Sequence, residues 1–222
     1  MKRKSLLIAL IKNFVTSICL FILLYIFSGN ILYIDGLIVA ILYFILGSFN
    51  YIFISSLKNG LLEKRITFNK ENNTQILSVV FSSLIIFFAM LSAGISYKYK
   101  YMMFNNYKYV IAGILIFLGY VLYIRVFKEN KYLSATISNN VPNNIITTGP
   151  YSIIRHPMYS SIVLMVIGFG FLLGSLIGLL ISILLIPFLI IRILDEEKIL
   201  LSNKKYRKYK QDVKYRLIPY VW

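Results

Sequence analysis

The segment from Met158 to Leu194 reads MYSSIVLMVIGFGFLLGSLIGLLISILLIPFLIIRIL, and it decides the fold class. Its interior, residues 162–190, carries no charge. As one straight helix the segment would be about 55 Å long, whereas the hydrocarbon core of a membrane is about 30 Å thick. Glycines near its middle permit a tight turn and close helix packing. We therefore predict a transmembrane hairpin with arms near 158–173 and 175–194, the second kinked at Pro187.

Four more apolar runs long enough to cross a membrane precede this hairpin. They lie near residues 5–28, 33–57, 76–96 and 108–127. The chain is 59% hydrophobic with a mean hydropathy of +0.75, which excludes a soluble globular domain. The sequence predicts an all-α polytopic membrane protein with about six transmembrane helices, including the hairpin near its C-terminal end.

The first apolar run follows Met1-Lys2-Arg3-Lys4, a pattern that also opens a secretory signal peptide. The run carries Lys12 and Asn13, extends to about Phe27 and lacks a cleavage site of small residues. A retained first transmembrane helix is therefore favoured over a removed signal.

The basic residues are distributed unequally between the two sides of the predicted bundle. Twenty lysines and arginines fall on the side of both termini, whereas Lys98, Lys100 and Lys108 fall on the other. By the positive-inside rule, both termini and the loop at 128–157 are cytoplasmic, in a cell (inner) membrane. The net charge of +16 then indicates an anionic bilayer as partner rather than nucleic acid.

Residues 198–222, which follow the last span, mix basic and aromatic side chains. This composition favours a cytoplasmic amphipathic helix at the headgroup level with aromatic anchors. The candidate anchors are Tyr206, Tyr209, Tyr215, Tyr220 and Trp222.

The densest cluster of chemically versatile side chains spans Gly149 to Tyr159, where the polar loop enters the hairpin. It contains a cation, an imidazole and two phenols. Pro157 suits the first turn of the following helix, whose N-terminus would favour an anion. Alternatively, Arg155 and the tyrosines are interfacial anchors and His156 is an ordinary loop residue. The chain has one cysteine and one histidine, so a metal site is not expected.

A second cluster, Arg192-Ile193-Leu194-Asp195-Glu196-Glu197, lies at the inner end of the last span. Arg192 and Glu196 are four residues apart, so they share a helix face and could present opposite charges to a zwitterionic ligand. They could equally neutralise a helix end. Gly168-Phe169-Gly170 follows no strand, so it indicates close helix packing rather than dinucleotide binding.

Together these motifs resemble the isoprenylcysteine carboxyl methyltransferase family and the related phospholipid N-methyltransferases. The resemblance covers about residues 107–222 and leaves residues 1–106, with three spans, as a separate N-terminal region. It rests on Gly149-Pro150-Tyr151, Arg155-His156-Pro157, Tyr159, the glycine-bearing hairpin, Arg192, Glu196-Glu197, Tyr206, Tyr209, Val213, Arg216-Leu217-Ile218-Pro219 and Trp222.

The resemblance implies an integral membrane methyltransferase that uses S-adenosyl-L-methionine and acts on a lipophilic or amphipathic acceptor, such as a lipid-modified molecule with a carboxylate, thiol or amine. It makes Arg192 and Glu196 the catalytic residues, Arg192 facing the acceptor. The cofactor-binding residues that it implies are Asn143, Asn144, Ile145, Ile146, Tyr151, His156, Pro157, Met158, Tyr159, Glu196 and Glu197.

The sequence departs from the family pattern at two places. The stretch from Leu200 to Tyr206 lacks the usual Phe-Gly pair and is two residues shorter, which affects the register of the tail. Ser160-Ser161 stands where a glycine is common, a change that still permits close packing.

Two other functions remain open at this point. Sterol reductases are similar to the family in the same C-terminal half and bind a nicotinamide cofactor, although they generally have more spans. A non-enzymatic membrane protein would bind no cofactor at the two clusters, and His156→Ala would then be silent.

Overall fold

The computed structural model describes residues 2–57, 62, 73–130 and 145–222, and the described residues are predominantly helical. The helices are α1 (Lys2–Ser28), α2 (Ile34–Ser56), α3 (Asn73–Tyr99), α4 (Tyr107–Glu129), α5 (Pro157–Leu172), α6 (Leu176–Ile183), α7 (Leu185–Leu200) and α8 (Lys204–Asp212). A 3₁₀ turn at Gly149–Ser152 precedes α5. Within these ranges the chain forms no strand, so the all-α prediction is confirmed.

Five stretches are long and apolar enough to cross a membrane. They are Arg3–Ser28, Ile34–Ser56, Val80–Tyr99, Tyr107–Glu129 and Leu176–Leu200, the last combining α6 and α7. The helix α5 is also apolar but has 16 residues, about 24 Å, which is less than the hydrocarbon thickness. Where six spans were predicted, the described chain has five and one shorter apolar helix.

The predicted hairpin is present, formed by α5 and the α6–α7 pair. Its turn is at Leu173–Ser175, and Gly174 adopts a φ of +80°, a conformation that favours glycine. The second arm is interrupted at Leu184, three residues before Pro187. Because proline has no N–H and its ring collides with the carbonyl four residues earlier, a continuous helix cannot pass this point undisturbed. The second arm is therefore interrupted one turn before Pro187, where the sequence predicted a kink.

Two glycines allow α5 to pack closely on its neighbours. A Cβ on Gly168 would lie 2.7 Å from a side-chain carbon of Ile116 in α4, and one on Gly170 would lie 2.7 Å from Leu179 in α6. A larger residue at position 168 would also crowd the backbone N of Ile116 at 3.1 Å, whereas one at position 170 would have to displace the end of the Leu179 side chain. The close helix packing predicted for this motif is thus confirmed.

The hairpin turn also contacts the N-terminal helices, at what we call the turn end of the bundle (residues 29–33, 100–106 and 173–175). Four hydrogen bonds connect the two parts: Tyr33 hydroxyl to Leu173 O, Phe104 N to Gly174 O at 2.9 Å, Leu176 N to Met102 O at 3.0 Å, and Ser175 Oγ to Ser96 Oγ at 2.8 Å. The hairpin is therefore held in position by elements outside residues 107–222.

A buried ion pair lies directly behind Gly174. Lys108 Nζ is 2.5 Å from Asp35 Oδ2, both side chains are less than a tenth exposed, and Tyr109 donates a 2.7 Å hydrogen bond to the other carboxylate oxygen. A Cβ on Gly174 would collide with both charged groups. The pair therefore joins the first residues of α2 and α4 to the hairpin turn.

Candidate active site

The opposite end of the bundle, which we call the site end, is organised around Glu197 near the end of α7. Its carboxylate is almost completely buried. Oε1 accepts a 2.8 Å hydrogen bond from Arg155 Nε and lies 3.3 Å from His156 Nε2. Oε2 lies 3.1 Å from Arg216 Nη2 and 3.8 Å from Lys210 Nζ. Burying a carboxylate is costly unless cations and donors compensate it, and here several surround it.

Arg155 connects this carboxylate to the tail. Its side chain is 2% exposed, and Nη1 donates 2.7 Å hydrogen bonds to the carbonyls of Val213 and Lys214. The backbone repeats the connection, because Arg155 N donates to Tyr215 O and His156 N donates to Arg216 O, both at 2.9 Å. The segment before α5 and the segment after α8 are therefore bonded side by side.

A cluster of tyrosines closes the base of the site. Tyr206 and Tyr209 in α8 are buried with Tyr151 and Val126, and Tyr209 donates a 2.7 Å hydrogen bond to the carbonyl of Tyr151. Burial raises the pKa of Tyr151 to about 12. It also raises the pKa values of Tyr206 and Tyr209, with the carboxylate of Glu197 adding to the effect at Tyr206. These phenols are consequently uncharged at neutral pH.

The tail tyrosines were predicted to anchor the tail in the headgroup region, and for Tyr206 and Tyr209 that prediction is wrong. Both side chains face the protein, since the link of three residues between α7 and α8 turns α8 back across the end of the bundle. Tyr220, by contrast, is 87% exposed. Amphipathicity alone could not distinguish a face that packs on protein from one that packs on lipid.

Glu196, the neighbour of Glu197, lies in a different environment. Its side chain is 30% exposed. It accepts a 2.9 Å hydrogen bond from the Tyr159 hydroxyl, and Oε2 lies 3.9 Å from His156 Nδ1. The Arg192 guanidinium, one helical turn earlier, lies 5.9 Å from the centre of the Tyr159 ring. These four side chains form a mixed-charge group that remains partly open.

The structure brings most of the predicted site residues to one end of the bundle. His156 lies between the two glutamates, the fully buried Pro157 begins α5, and Met158 packs between the tyrosine cluster and the core beside Tyr123. Ile145 and Ile146 pack against the tyrosine cluster. Asn143 and Asn144 lie outside the described residues.

Three interactions were missed in the sequence. Arg155 was considered only as part of a motif or as an interfacial anchor, Arg216 was given no role, and Tyr206 was assigned to the membrane surface. Their common partner, Glu197, lies 42 residues from Arg155 and 19 from Arg216. The available signal was the excess of lysines and arginines around the three consecutive acids, Asp195 to Glu197, at the end of the last span.

Comparisons with known proteins agree with this architecture. Residues 107–208 match the family model described as phospholipid methyltransferase. No curated protein sequence matches the chain. Among solved structures, the eukaryotic intramembrane Ras methyltransferase, isoprenylcysteine carboxyl methyltransferase, is 18% identical with a TM-score of 0.52, covering 95% of this chain and 85% of that one. At this identity the likeness shows a shared fold.

The family match begins at α4 and extends into α8, so it includes both glutamates, His156, Tyr159 and Arg192. The structural likeness extends over the N-terminal helices as well. Residues 107–208 therefore resemble the phospholipid methyltransferase family, and the fold of the whole chain is similar to that of an intramembrane methyltransferase.

Proposed function

We propose that the protein transfers a methyl group from S-adenosyl-L-methionine to a lipophilic or amphipathic acceptor at the cytoplasmic face of the membrane. The observation that supports this most directly is the partly open group of Glu196, Tyr159, His156 and Arg192, set between the ends of α5 and α7 within the family match. It combines a carboxylate, aromatic faces and a fixed cation where a membrane-soluble molecule can approach.

The side chains of this group suit the cofactor chemically. The cofactor carries a cationic sulfonium, a cationic amino group and a carboxylate, together with a purine. Glu196 can attract the cationic groups, and the rings of His156 and Tyr159 offer surfaces for stacking. When bound, the cofactor supplies a methyl group already activated for transfer. Asn143 to Ile146 remain predicted backbone contacts, of which Ile145 and Ile146 are described beside the site.

The two glutamates have separate roles in this proposal. Both oxygens of Glu197 already interact with Arg155, His156, Arg216 and Lys210, so Glu197 positions the tail and His156. Glu196 retains an exposed edge and is the carboxylate available to a ligand. The cofactor contact predicted for Glu197 then becomes indirect, through the orientation of His156.

Arg192 is the residue that we propose faces the acceptor. It lies one turn further from the site end than Glu196, so an acceptor entering between helices would meet it beside Tyr159. A guanidinium stays protonated, so it can orient a carboxylate or thiolate but cannot remove a proton. Methyl transfer forms a carbon–acceptor bond as the carbon–sulfur bond breaks, and the protein's task is alignment and exclusion of water. Full turnover in Arg192→Lys would argue against two-point positioning.

The assignment of the site end to the cytoplasm follows from its excess of cations. It can be checked in intact cells with a membrane-impermeant thiol reagent, using Cys19→Ser as the background. Lys100→Cys at the turn end should react at once, whereas Lys208→Cys should react only after the membrane is opened. The reverse pattern would invert the topology.

The central test is calorimetric titration of the detergent-purified protein with S-adenosyl-L-methionine, with NADPH as a parallel ligand. Glu196→Ala should weaken binding about 10- to 100-fold, as expected for the loss of a charged hydrogen-bonding partner. His156→Ala should also weaken binding, because it removes a ring on which the cofactor can stack. Asp195→Ala is the matched control, because this neighbouring acid pairs with exposed Lys198 instead. Binding of NADPH alone would favour a reductase similar to the sterol reductases, and binding of neither ligand would favour a non-enzymatic membrane protein.

A further inference from the structure

The helix α8 has two faces of opposite character. Tyr206 and Tyr209 are buried on the protein side. The side chains directed away from the protein are strongly basic and exposed, namely Lys204, Lys205, Arg207 and Lys208. The acid of this helix, Asp212, is its last residue. Helical periodicity thus separates an aromatic docking face from what we call the cationic face, defined by these four residues.

The cationic face lies close to the end of a membrane span. Leu201–Asn203 is the whole link between α7 and α8, and three residues reach at most about 10 Å even when fully extended. The screening length at physiological ionic strength is about 8 Å. Charges at the start of α8 are therefore within little more than one screening length of the end of α7, where we expect lipid headgroups.

A group of exposed apolar side chains follows on the same tail. Ile218, Tyr220 and Val221 are all more than half exposed. They lie in a turn closed by hydrogen bonds from the backbone N–H groups of Val221 and Trp222 to Ile218 O. This turn is connected to α8 through Glu197, since Arg216 and Lys210 both contact Oε2. Exposed apolar residues next to a basic face are typical of segments that lie in the membrane interface.

We propose that the cationic face of α8 and the exposed turn 218–221 form a docking surface for anionic phospholipid headgroups. A basic helix alone would suit any polyanion, but the adjoining apolar turn and the short link to α7 favour a lipid surface. Docking would hold the tail at the membrane, and the tail carries Arg216 and Lys210 to Glu197. The lipid composition of the leaflet would thereby stabilise the closed site. The docking surface is formed by the tail alone, so the proposal for it does not depend on methyltransferase activity.

Trp222, the one tryptophan of the chain, provides a direct reporter. The full-length protein is placed in nanodiscs of phosphatidylcholine, with or without phosphatidylglycerol, each containing a lipid with a quencher near the headgroup. We expect stronger quenching of Trp222 fluorescence in the anionic nanodiscs. The difference should disappear at high salt, because each basic residue near an anionic surface strengthens association about fivefold through a screened interaction.

The variant K204Q/K205Q/R207Q/K208Q should lose the dependence on phosphatidylglycerol. The control K98Q/K100Q changes two exposed lysines in and next to the turn end and should keep it. Equal quenching of the wild type in both lipids would by itself overturn the proposal. Lipid dependence that persists in the quadruple variant would also overturn it. Binding of an RNA oligonucleotide with no lipid dependence would assign the cationic face to nucleic acid instead.

Discussion

Replacing Glu197 by glutamine tests whether this carboxylate holds the tail on the site. Glutamine preserves the shape but removes the charge that compensates Arg155, whose side chain is 2% exposed. Breaking a buried ion pair costs about 3–5 kcal/mol. Arg155 retains its hydrogen bonds to the carbonyls of Val213 and Lys214, so we expect the lower end of that range. The partly exposed Arg216 and Lys210 add less than about 1 kcal/mol.

A loss of about 3 kcal/mol corresponds to a decrease of about 6–12 °C in the midpoint of thermal unfolding for a chain of this size. The assay is a thermal scan in detergent that follows Trp222 fluorescence, since this residue lies beneath the Arg216 guanidinium at 4.9 Å. The transition reported by Trp222 should move to lower temperature, because the tail loses the ion pairs of Arg216 and Lys210 with Glu197 and Arg155 loses its counter-ion.

The matched control is Glu196→Gln at the adjacent position. Glutamine can still accept the hydrogen bond from Tyr159 through its amide oxygen, so what is lost is mainly the charge of a partly exposed carboxylate. We expect this to cost at most about 1 kcal/mol, so the midpoint should change by no more than about 2–4 °C. The reasoning is refuted if Glu197→Gln lowers the Trp222 midpoint no more than Glu196→Gln does. Cofactor affinity should show the opposite order of sensitivity if Glu196 is the carboxylate that contacts the ligand.

Two further predictions concern other parts of the bundle. Asp35→Asn leaves Lys108 buried without its counter-ion and should destabilise the protein by about 3–5 kcal/mol. Adding Lys108→Met should recover most of this loss in thermal scans, and no recovery would show that the broken ion pair is not the cause. Burial raises the pKa values of Tyr206 and Tyr209 above the ordinary value of about 10. Packing of the tail on the site should therefore be fully stable below about pH 10 and weaken as the pH rises further, as followed by Trp222 fluorescence. A transition near pH 7 would show that ionisation of these tyrosines is not its cause.

Hydropathy along the chain was enough to predict the membrane helices and the hairpin. The predicted arms at 158–173 and 175–194 compare with α5 at Pro157–Leu172 and the second arm ending at Leu200. The reason is that the bilayer acts as a solvent of known thickness, so the length of an apolar run and the position of proline are local quantities with direct structural meaning. The same locality explains why the cluster at Gly149–Tyr159 was identified as a site candidate.

The pairing of charges, by contrast, was decided by tertiary structure. The motif Glu196-Glu197 does not reveal which acid is buried, because that depends on where Arg155 and Arg216 arrive from distant parts of the chain. Likewise, the 3.6-residue periodicity of α8 predicts an apolar face but not whether lipid or protein covers it. A sequence specifies which groups need a partner, whereas the identity of the partner depends on contacts between segments that only the folded chain brings within a few ångströms.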